Sequence, residues 1–351
     1  MPMAAHLHVT NLRWWKLIGG LVAGLVAAGA AALFLRWPWQ PAFVPHAAAP
    51  LSAAQFEVES AKLSSLLEQR GVEAAFSYAQ SRIAADPSYA KVCHPLLHEL
   101  GHAAYTYYGS YAPAIAYQNE LCDSGYTHGV VEEYLSSGHV PIAQALQAAC
   151  QPGAATFRQW QCYHGLGHGA MIALDGDVAK SIALCGGLPS SFSSDACVNG
   201  VFMQHFVVTA HDGSVPKVNP TGLGDCQSQP ARYKTVCYTY APSAYLTVHD
   251  RQYQAALHWC QTAEQDYVPA CITGVGSQAM KENIGDAGVA RRVCQLASGT
   301  AVHHCISGAV AMDVFFHASA AHGQALCSGQ FKAYRATCLQ AVAAQKQQLP
   351  L

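Results

Sequence analysis

The cysteines of this chain recur with a spacing that constrains its fold more than any other feature. From residue 150 onward they fall into six pairs, and the two members of each pair are 11 or 12 positions apart. The second members lie at 162, 197, 237, 271, 305 and 338, so they follow one another at intervals of 35, 40, 34, 34 and 33 residues. Such a period is typical of a repeat made of two helices.

The segments around these cysteines have the composition of short helices. An Ala/Leu-rich segment ends at the first cysteine of a pair, and the second cysteine begins another apolar segment, often as Cys-x-x-Gly. No strand-like alternation of polar and apolar residues competes with this pattern. Because a single helical hairpin cannot bury its apolar face, we expect the units to stack on one another. The sequence predicts an all-α, disulfide-stapled solenoid of helical hairpins with a period of about 34 residues.

The even number of cysteines predicts seven disulfides. Six follow from the short spacing, and Cys93 and Cys122 form the seventh pair by elimination, although Cys122 could also open a helix as Cys162 does. The predicted pairs are Cys93–Cys122, Cys150–Cys162, Cys185–Cys197, Cys226–Cys237, Cys260–Cys271, Cys294–Cys305 and Cys327–Cys338. Free or metal-bound thiolates are the alternative, but zinc sites usually bring cysteines two to four residues apart and the chain has no CxxC.

An uncharged apolar segment near the N-terminus predicts a membrane anchor. Residues 17–35 read LIGGLVAGLVAAGAAALFL, which is long enough to cross a bilayer core of about 30 Å. Arg13 and Lys16 favour a cytoplasmic N-terminus. All cysteines follow this segment, so we expect a single-pass protein whose oxidised body is periplasmic or extracellular. A cleaved signal peptide, with small residues at 47–49, is the alternative.

The composition and the apolar segment together suggest how the chain is organised. With 51% hydrophobic residues, 11% charged residues and a net charge of −2, the chain is neither a disordered protein nor a basic nucleic-acid binder. We expect the lipid bilayer as a partner through residues 17–35 and a protein partner on the C-terminal repeats. The predicted segments are a cytoplasmic segment (1–16), a transmembrane signal-anchor helix (17–36), a Pro/Ala linker (37–52), capping helices (53–92), His-rich repeats (93–210) and C-terminal Cys-paired repeats (211–351).

Histidine is unusually abundant, and its first cluster has the spacing of a metal site. His94, His98 and His102 are four residues apart and therefore lie along one face of a helix. Residues 98–102 read HELGH, which resembles the HExxH signature of zinc metallopeptidases. That resemblance implies zinc ligation by both histidines and a general-base role for Glu99. A third ligand could come from Glu132 or Glu133 in the later segment GVVEEYL.

Comparison of the units extends the cluster. HELGHAA (98–104) aligns with HGLGHGA (164–170), which pairs His98 with His164 and His102 with His168. His128 lies six residues after Cys122, as His168 does after Cys162, and Met203 takes that offset in the next unit. Equivalent positions of stacked repeats line one wall, so these side chains are expected to meet at a metal. The histidines without a shared offset are expected to be surface or packing residues: His139, His211, His249, His258, His303, His304, His317 and His322.

The pattern leaves three functions open. The first is a metal-dependent hydrolase, with zinc as the expected ion and Glu99 as the base. The second is a multi-histidine redox or metal-carrying protein that binds copper or iron, because HGLGH keeps both histidines but lacks the glutamate. The third is a non-catalytic scaffold that binds a protein. A non-covalent haem ligated by histidine also remains open, whereas CxxCH haem attachment, a nucleotide loop and a GxSxG nucleophile are excluded.

Overall fold

Helices of alternating length build the described part of the protein. The structure is a computed structural model and describes residues 49–150, 156–206 and 223–349. These residues form helices joined by turns and loops and contain no strand, which confirms the predicted all-α class. From the third α-helix onward, long helices of 14 to 22 residues alternate with short helices of 4 to 9 residues.

The bounds of the helices follow the chain in order. The α-helices are α1 (Ala53–Arg70), α2 (Val72–Ala85), α3 (Pro87–Tyr108), α4 (Tyr111–Ile115), α5 (Leu121–Ser136), α6 (Ile142–Ala149), α7 (Phe157–Ala173), α8 (Val178–Cys185), α9 (Ser191–Phe206), α10 (Gly224–Gln227), α11 (Ala231–Val248), α12 (Tyr253–Trp259), α13 (Val268–Lys281), α14 (Ala287–Cys294), α15 (Ala301–Phe316), α16 (Ala320–Ser328) and α17 (Arg335–Gln348). Short 3₁₀ segments lie at Cys260–Thr262, Gln265–Tyr267 and Lys332–Tyr334.

All seven predicted disulfides are present, and the chain has no free cysteine. Each of the six short-spaced bonds joins the C-terminal region of a short helix to the long helix that follows it. Cys185 at the end of α8, for example, is bonded to Cys197 within α9. The wider bond between Cys93 and Cys122 ties α3 to the beginning of α5. The six short-spaced disulfides therefore hold each short helix against the long helix that follows it.

Consecutive long helices pack side by side at glycines. In three units the glycine of Cys-x-x-Gly lies against a backbone carbonyl of the preceding long helix, two residues after that helix's own cysteine. The contacts are Gly200 on His164, Gly274 on Thr239 and Gly308 on Thr273. A Cβ atom would overlap each carbonyl oxygen, so the repeated motif sets the distance between helix axes.

Helices that are distant in sequence also touch. The Phe315 ring on α15 packs against Trp160 and Phe157 on α7, with ring centroids 5.2 and 5.6 Å apart. Helix α15 also contacts α5. Repeats of an open solenoid contact only their neighbours, so the helices here curve back on one another. The predicted all-α class and the predicted disulfides are thus confirmed, whereas an open solenoid is not established.

Helix α5 lies between two groups of buried apolar side chains. One group extends from Leu63 to Val130 and fills the space between α1, α2, α3 and α5. The other begins at Val131 and continues to Leu349. The buried histidines of the described residues lie on α5 and on its neighbours α3 and α7.

The described residues contain no helix that is long and apolar enough to cross a membrane. The predicted segment 1–16, the anchor at 17–36 and most of the linker at 37–52 lie outside the described residues.

Candidate metal centre

Helix α3 presents its histidines to α5 because the local sequence fixes where the helix begins and how closely it packs. The Asp86 carboxylate accepts hydrogen bonds from the first-turn amides of α3, and Gly109 ends the helix in a left-handed conformation. Gly129 on α5 lies directly against the His98 carbonyl, where a Cβ would overlap the oxygen. The two helices are therefore close enough for side chains of one to reach the other.

A single buried carboxylate holds the two histidines of HELGH. His98 donates from Nδ1 to Oε2 of Glu132 over 3.0 Å, and His102 donates from Nε2 to the same oxygen over 2.8 Å. Glu132 is 2% exposed, and its other oxygen, Oε1, is buried without a hydrogen bond. Glu133 lies 3.5 Å from Nδ1 of His102 and is more exposed. The structure thus places Glu132, of the two predicted acidic residues, inside the cluster.

An unusual turn at the start of α5 positions the other partners. Cys122, Asp123 and Ser124 have φ values of 51°, 59° and 58°, so the regular helix does not begin at Cys122 as it does around Cys162. Left-handed non-glycine residues cost about 1–3 kcal/mol each and persist where surrounding contacts hold them. This turn directs the Cys122 carbonyl to Nδ1 of His94 over 2.8 Å.

Asp123 takes part in a second series of buried hydrogen bonds. It accepts a hydrogen bond of 2.9 Å from the Gln161 amide nitrogen, whose orientation is thereby fixed. The amide oxygen of Gln161 then accepts from Nε2 of the fully buried His128 over 3.2 Å. Burial raises the pKa of Asp123 to about 7, against the lowering effects of Lys281 and Gln161.

These hydrogen bonds determine which ring nitrogens carry protons. A carbonyl or carboxylate oxygen only accepts, so the protons lie on Nδ1 of His94, Nδ1 of His98 and Nε2 of His128. The remaining nitrogens are then lone-pair donors. One of these, Nδ1 of His128, is buried and has no hydrogen-bond partner. Ligating histidines in proteins usually donate their second nitrogen to a carbonyl, carboxylate or amide in this way.

The three imidazoles also converge. One ring nitrogen from each of His94, His98 and His128 lies within 4.8 Å of the others, and Nε2 of His94 is 3.0 Å from Nε2 of His98. The set His98, His102 and Glu132 satisfies the same distance limit. Both sets include His98. The described residues therefore contain two adjoining histidine-rich groups that could hold a metal ion.

Burial keeps most of this cluster uncharged. Burial, followed by the charges of neighbouring histidines, holds the pKa of His94, His128 and His164 well below 6.5. The pKa of His168 falls to about 4, mainly through burial and against the raising effect of Glu132. Neutral imidazole is the form that binds metal, so these rings need no deprotonation at pH 7.

The charged part of the cluster is around Glu132. Burial would raise the pKa of Glu132, but His98 and the hydrogen bonds of His102 and His98 outweigh it and hold that pKa well below 4.5. Burial likewise lowers the pKa of His102, yet the hydrogen bond and charge of Glu132 outweigh it and raise that pKa. The negative charge of Glu132 is thus retained in the interior.

His164 and His168 on α7 extend the cluster, as the sequence comparison predicts. The His128 ring centroid lies 5.2 Å from that of His164 and 5.3 Å from that of His168. His168 donates from Nδ1 to the Gln204 side-chain oxygen over 2.8 Å, and Nε2 of His164 lies 3.2 Å from the Met203 sulfur. All the predicted ligand histidines are therefore brought together.

The predicted general base has a different position from the predicted ligands. Glu99 is half-buried on α3, and its charge contributes to the raised pKa of His102. The carboxylate with hydrogen bonds to both HELGH histidines is Glu132. A role for Glu99 as base therefore remains a prediction.

Sequence reasoning missed the amides and the aspartate that orient the rings. Gln161 occupies the position just before the second cysteine of its pair, where two other units have Ala196 and Ala270. The polar residue at this position is only a weak signal, because His304 and Thr337 occupy it in two further units. Gln204 and Asp123 carry no such signal, because their roles depend on the packing of α9 and on the left-handed turn.

A third group lies where α15 ends and α16 begins, and its two histidines are among those expected to be surface or packing residues. Asp313, His317 and His322 offer ligand atoms within 4.8 Å of one another. His322 donates from Nδ1 to Asp313 over 2.7 Å, and the two imidazole rings stack with centroids 3.8 Å apart. Asp313 is buried, but both histidines are partly exposed. This group is a separate and more open candidate.

Comparison of the chain with protein families, with characterised proteins and with solved structures finds no match.

Proposed function

We propose that this protein is a membrane-anchored, extracytoplasmic metalloprotein that binds a transition-metal ion at His94, His98 and His128. The observation that carries the proposal is the orientation of these three rings. Each donates its protonated nitrogen to a fixed acceptor, namely the Cys122 carbonyl, Glu132 and Gln161. The unprotonated nitrogens are left for a common ligand, which is the arrangement that a metal ion stabilises.

A set of three histidines suits catalysis as well as storage. Catalytic zinc sites commonly have three protein ligands and leave one position for water or substrate. Imidazole also binds copper and iron, so the donor set does not select the ion. We propose that Glu132 balances the charge of the ion through its hydrogen bond to His98, while its buried Oε1 faces the cluster.

Redox chemistry is the function that the geometry supports best. His128, His164 and His168 are at most 1% exposed, so their part of the cluster admits electrons or very small molecules more readily than a peptide. The donors are almost all imidazoles, and a thioether lies beside them. A hydrolase with a single zinc ion needs neither the additional histidines, His164 and His168, nor the sulfur.

A zinc-dependent hydrolase is the second candidate, and one observation favours it. His98 and His102 come from HELGH, and Glu132 reaches both of them from the neighbouring helix. That set matches two histidines and a glutamate, a known ligand set of zinc peptidases. In this case Glu99 is proposed as the general base, and the side chains of His102 and Glu133, 23% and 34% exposed, would lie on the substrate side.

The location and the repeat architecture are part of the same proposal. Seven disulfides support an oxidising compartment, and residues 17–36 supply the proposed anchor. The recurring glycine–carbonyl contacts support descent of the units from one helical hairpin, stacked as a curved solenoid. The C-terminal units, in which Ser or Ala takes the offset of His128, are proposed to support the centre and to offer a surface for a protein partner.

The metal content of the full-length protein tests this function. Protein purified in detergent without reductant should contain at least one transition-metal ion per chain by elemental analysis. His94→Gln and His128→Gln should each contain one metal ion fewer per chain than the wild type, whereas His258→Gln, an exposed histidine on α12, should retain the full content. Equal metal content in all four proteins would overturn the proposed ligands. A folded, metal-free protein that cannot be loaded would support the scaffold function instead.

The kind of metal and the effect of Glu99 separate the two enzymes. Copper or iron with a visible or paramagnetic signal supports redox chemistry. One bound zinc ion, together with peptide hydrolysis that Glu99→Gln abolishes without releasing the zinc, supports the hydrolase.

A further inference from the structure

The His164 side chain has an unusual neighbour. Its Nε2 atom lies 3.2 Å from the sulfur of Met203 on α9 and 3.1 Å from Nε2 of His168. Met203 is 4% exposed, and the two histidines are at most 1% exposed. A second imidazole nitrogen and a thioether sulfur, both potential metal ligands, thus lie beside Nε2 of His164 in the interior.

The protonation of His168 prepares it for ligation. Its Nδ1 donates to the Gln204 oxygen over 2.8 Å, so in the neutral ring Nε2 carries a lone pair. That lone pair is directed to His164, whose own Nδ1 is buried without any hydrogen-bond partner. His168 therefore presents its lone pair to the same nitrogen of His164 that contacts the Met203 sulfur.

Ordinary packing explains the sulfur contact poorly. Methionine sulfur usually lies about 5 Å from an aromatic ring, often at its edge, and is only a weak hydrogen-bond acceptor. Here the sulfur is aimed at a nitrogen, while the face of the His164 ring is occupied by Trp160 with centroids 4.7 Å apart. Atoms bound to one ion at about 2.0–2.3 Å lie roughly 3.2–3.8 Å apart, close to the separations found here.

We propose that His164, His168 and Met203 form a second metal site that binds Cu(I). A thioether is a soft ligand, which selects Cu(I) over zinc, and imidazole suits both. Gln204 orients His168, and Trp160 holds His164 in place. The site adjoins the one at His94, His98 and His128 through the His128 ring. It deepens the proposed redox function by naming an ion, but it stands on its own contacts.

Anaerobic titration of the metal-free full-length protein with Cu(I), in competition with a chromophoric chelator, tests the site. Met203→Leu should bind one Cu(I) fewer per chain, or bind it at least tenfold more weakly. Met280→Leu, a buried methionine on α13, should behave as the wild type. Both substitutions nearly conserve volume, so both variants are expected to fold.

X-ray absorption of the copper-loaded wild type provides a second readout. We expect a copper–sulfur contribution that is absent from Met203→Leu and present in His94→Gln. A spectrum with only nitrogen ligands, or an unchanged titration of Met203→Leu, overturns the proposal. His94→Gln separates the two sites: if it loses the ion at His94, His98 and His128 but retains the copper–sulfur signal, the second site is real and distinct. If both sites fail, the metalloprotein function fails with them.

Discussion

Nε2 of His94 lies 3.0 Å from Nε2 of His98, although each ring already donates its Nδ1 proton to an oxygen. Two neutral rings in this arrangement would direct lone pairs at each other. A cation shared by the two nitrogens would remove this repulsion, which is the role of the proposed metal ion.

Glu132→Gln should weaken metal binding by about 10–100-fold, the usual effect of removing a group that orients a ligating histidine. The amide keeps the shape of the side chain but removes the charge and adds a donor beside His98 and His102. Metal affinity by competition with a chelator measures the change. Glu133→Gln is the matched control, because Glu133 is more exposed and lies 3.5 Å from His102. Equal affinities in the two variants would contradict the assigned role.

Gly200→Ala should destabilise the protein by about 1–3 kcal/mol or more, because the added Cβ overlaps the His164 carbonyl and pushes α9 away from α7. Chemical unfolding followed by circular dichroism measures the free energy. Gly224→Ala is the control, since a Cβ there meets no atom within 4 Å. A Gly200→Ala protein as stable as the control would show that the close approach of the helices is not required.

The metal-free protein should lose stability as the pH falls from about 6.5 toward 4. The folded pKa of His168 is about 4, so in this range the unfolded chain binds a proton that the folded chain does not. At about 1.4 kcal/mol per pKa unit, His168 alone accounts for about 3 kcal/mol. Unfolding free energies of wild type and His168→Gln across this range measure the effect.

The His168→Gln variant should show a shallower pH dependence than the wild type, and His258→Gln should show the same dependence as the wild type. Identical curves for all three proteins would mean that His168 titrates normally. Above pH 6.5 the histidines of the unfolded chain are neutral as well, so protonation of histidine in the unfolded chain should no longer lower the free energy of unfolding.

Replacing Cys260 and Cys271 together by alanine should lower the free energy of unfolding by about 2–4 kcal/mol, since the bond closes a short loop in the unfolded chain. Denaturant titration measures the loss. A thiol assay of the wild type in denaturant should detect no free thiol before reduction and all 14 afterwards. Detection of fourteen thiols before reduction would contradict both the seven disulfides and the proposed extracytoplasmic location.

Local chemistry in the sequence was sufficient to predict the helices, the seven disulfides and the identity of the clustered histidines. Six of the disulfides need only a spacing that a short loop can bridge, Cys93–Cys122 follows by elimination, and a helical face needs only residues four apart. The repeat of His98 and His102 as His164 and His168 placed the two pairs on the units that flank His128, and the rings of His98, His164 and His168 do lie around His128. Each of these features is fixed within one unit or by its direct copy.

Only the tertiary structure decided what the histidines contact. The choice of Glu132 over Glu133 depends on the rotation of α5 against α3, which the Gly129 contact sets. The ring protonation depends on the Cys122 carbonyl and on Gln161, both positioned by backbone and packing that no local pattern encodes. Likewise, His317 and His322 meet Asp313 through a turn with a left-handed residue at Ala318. Spacing along a chain determines which residues share a face, but a metal site depends on how neighbouring faces are turned toward each other.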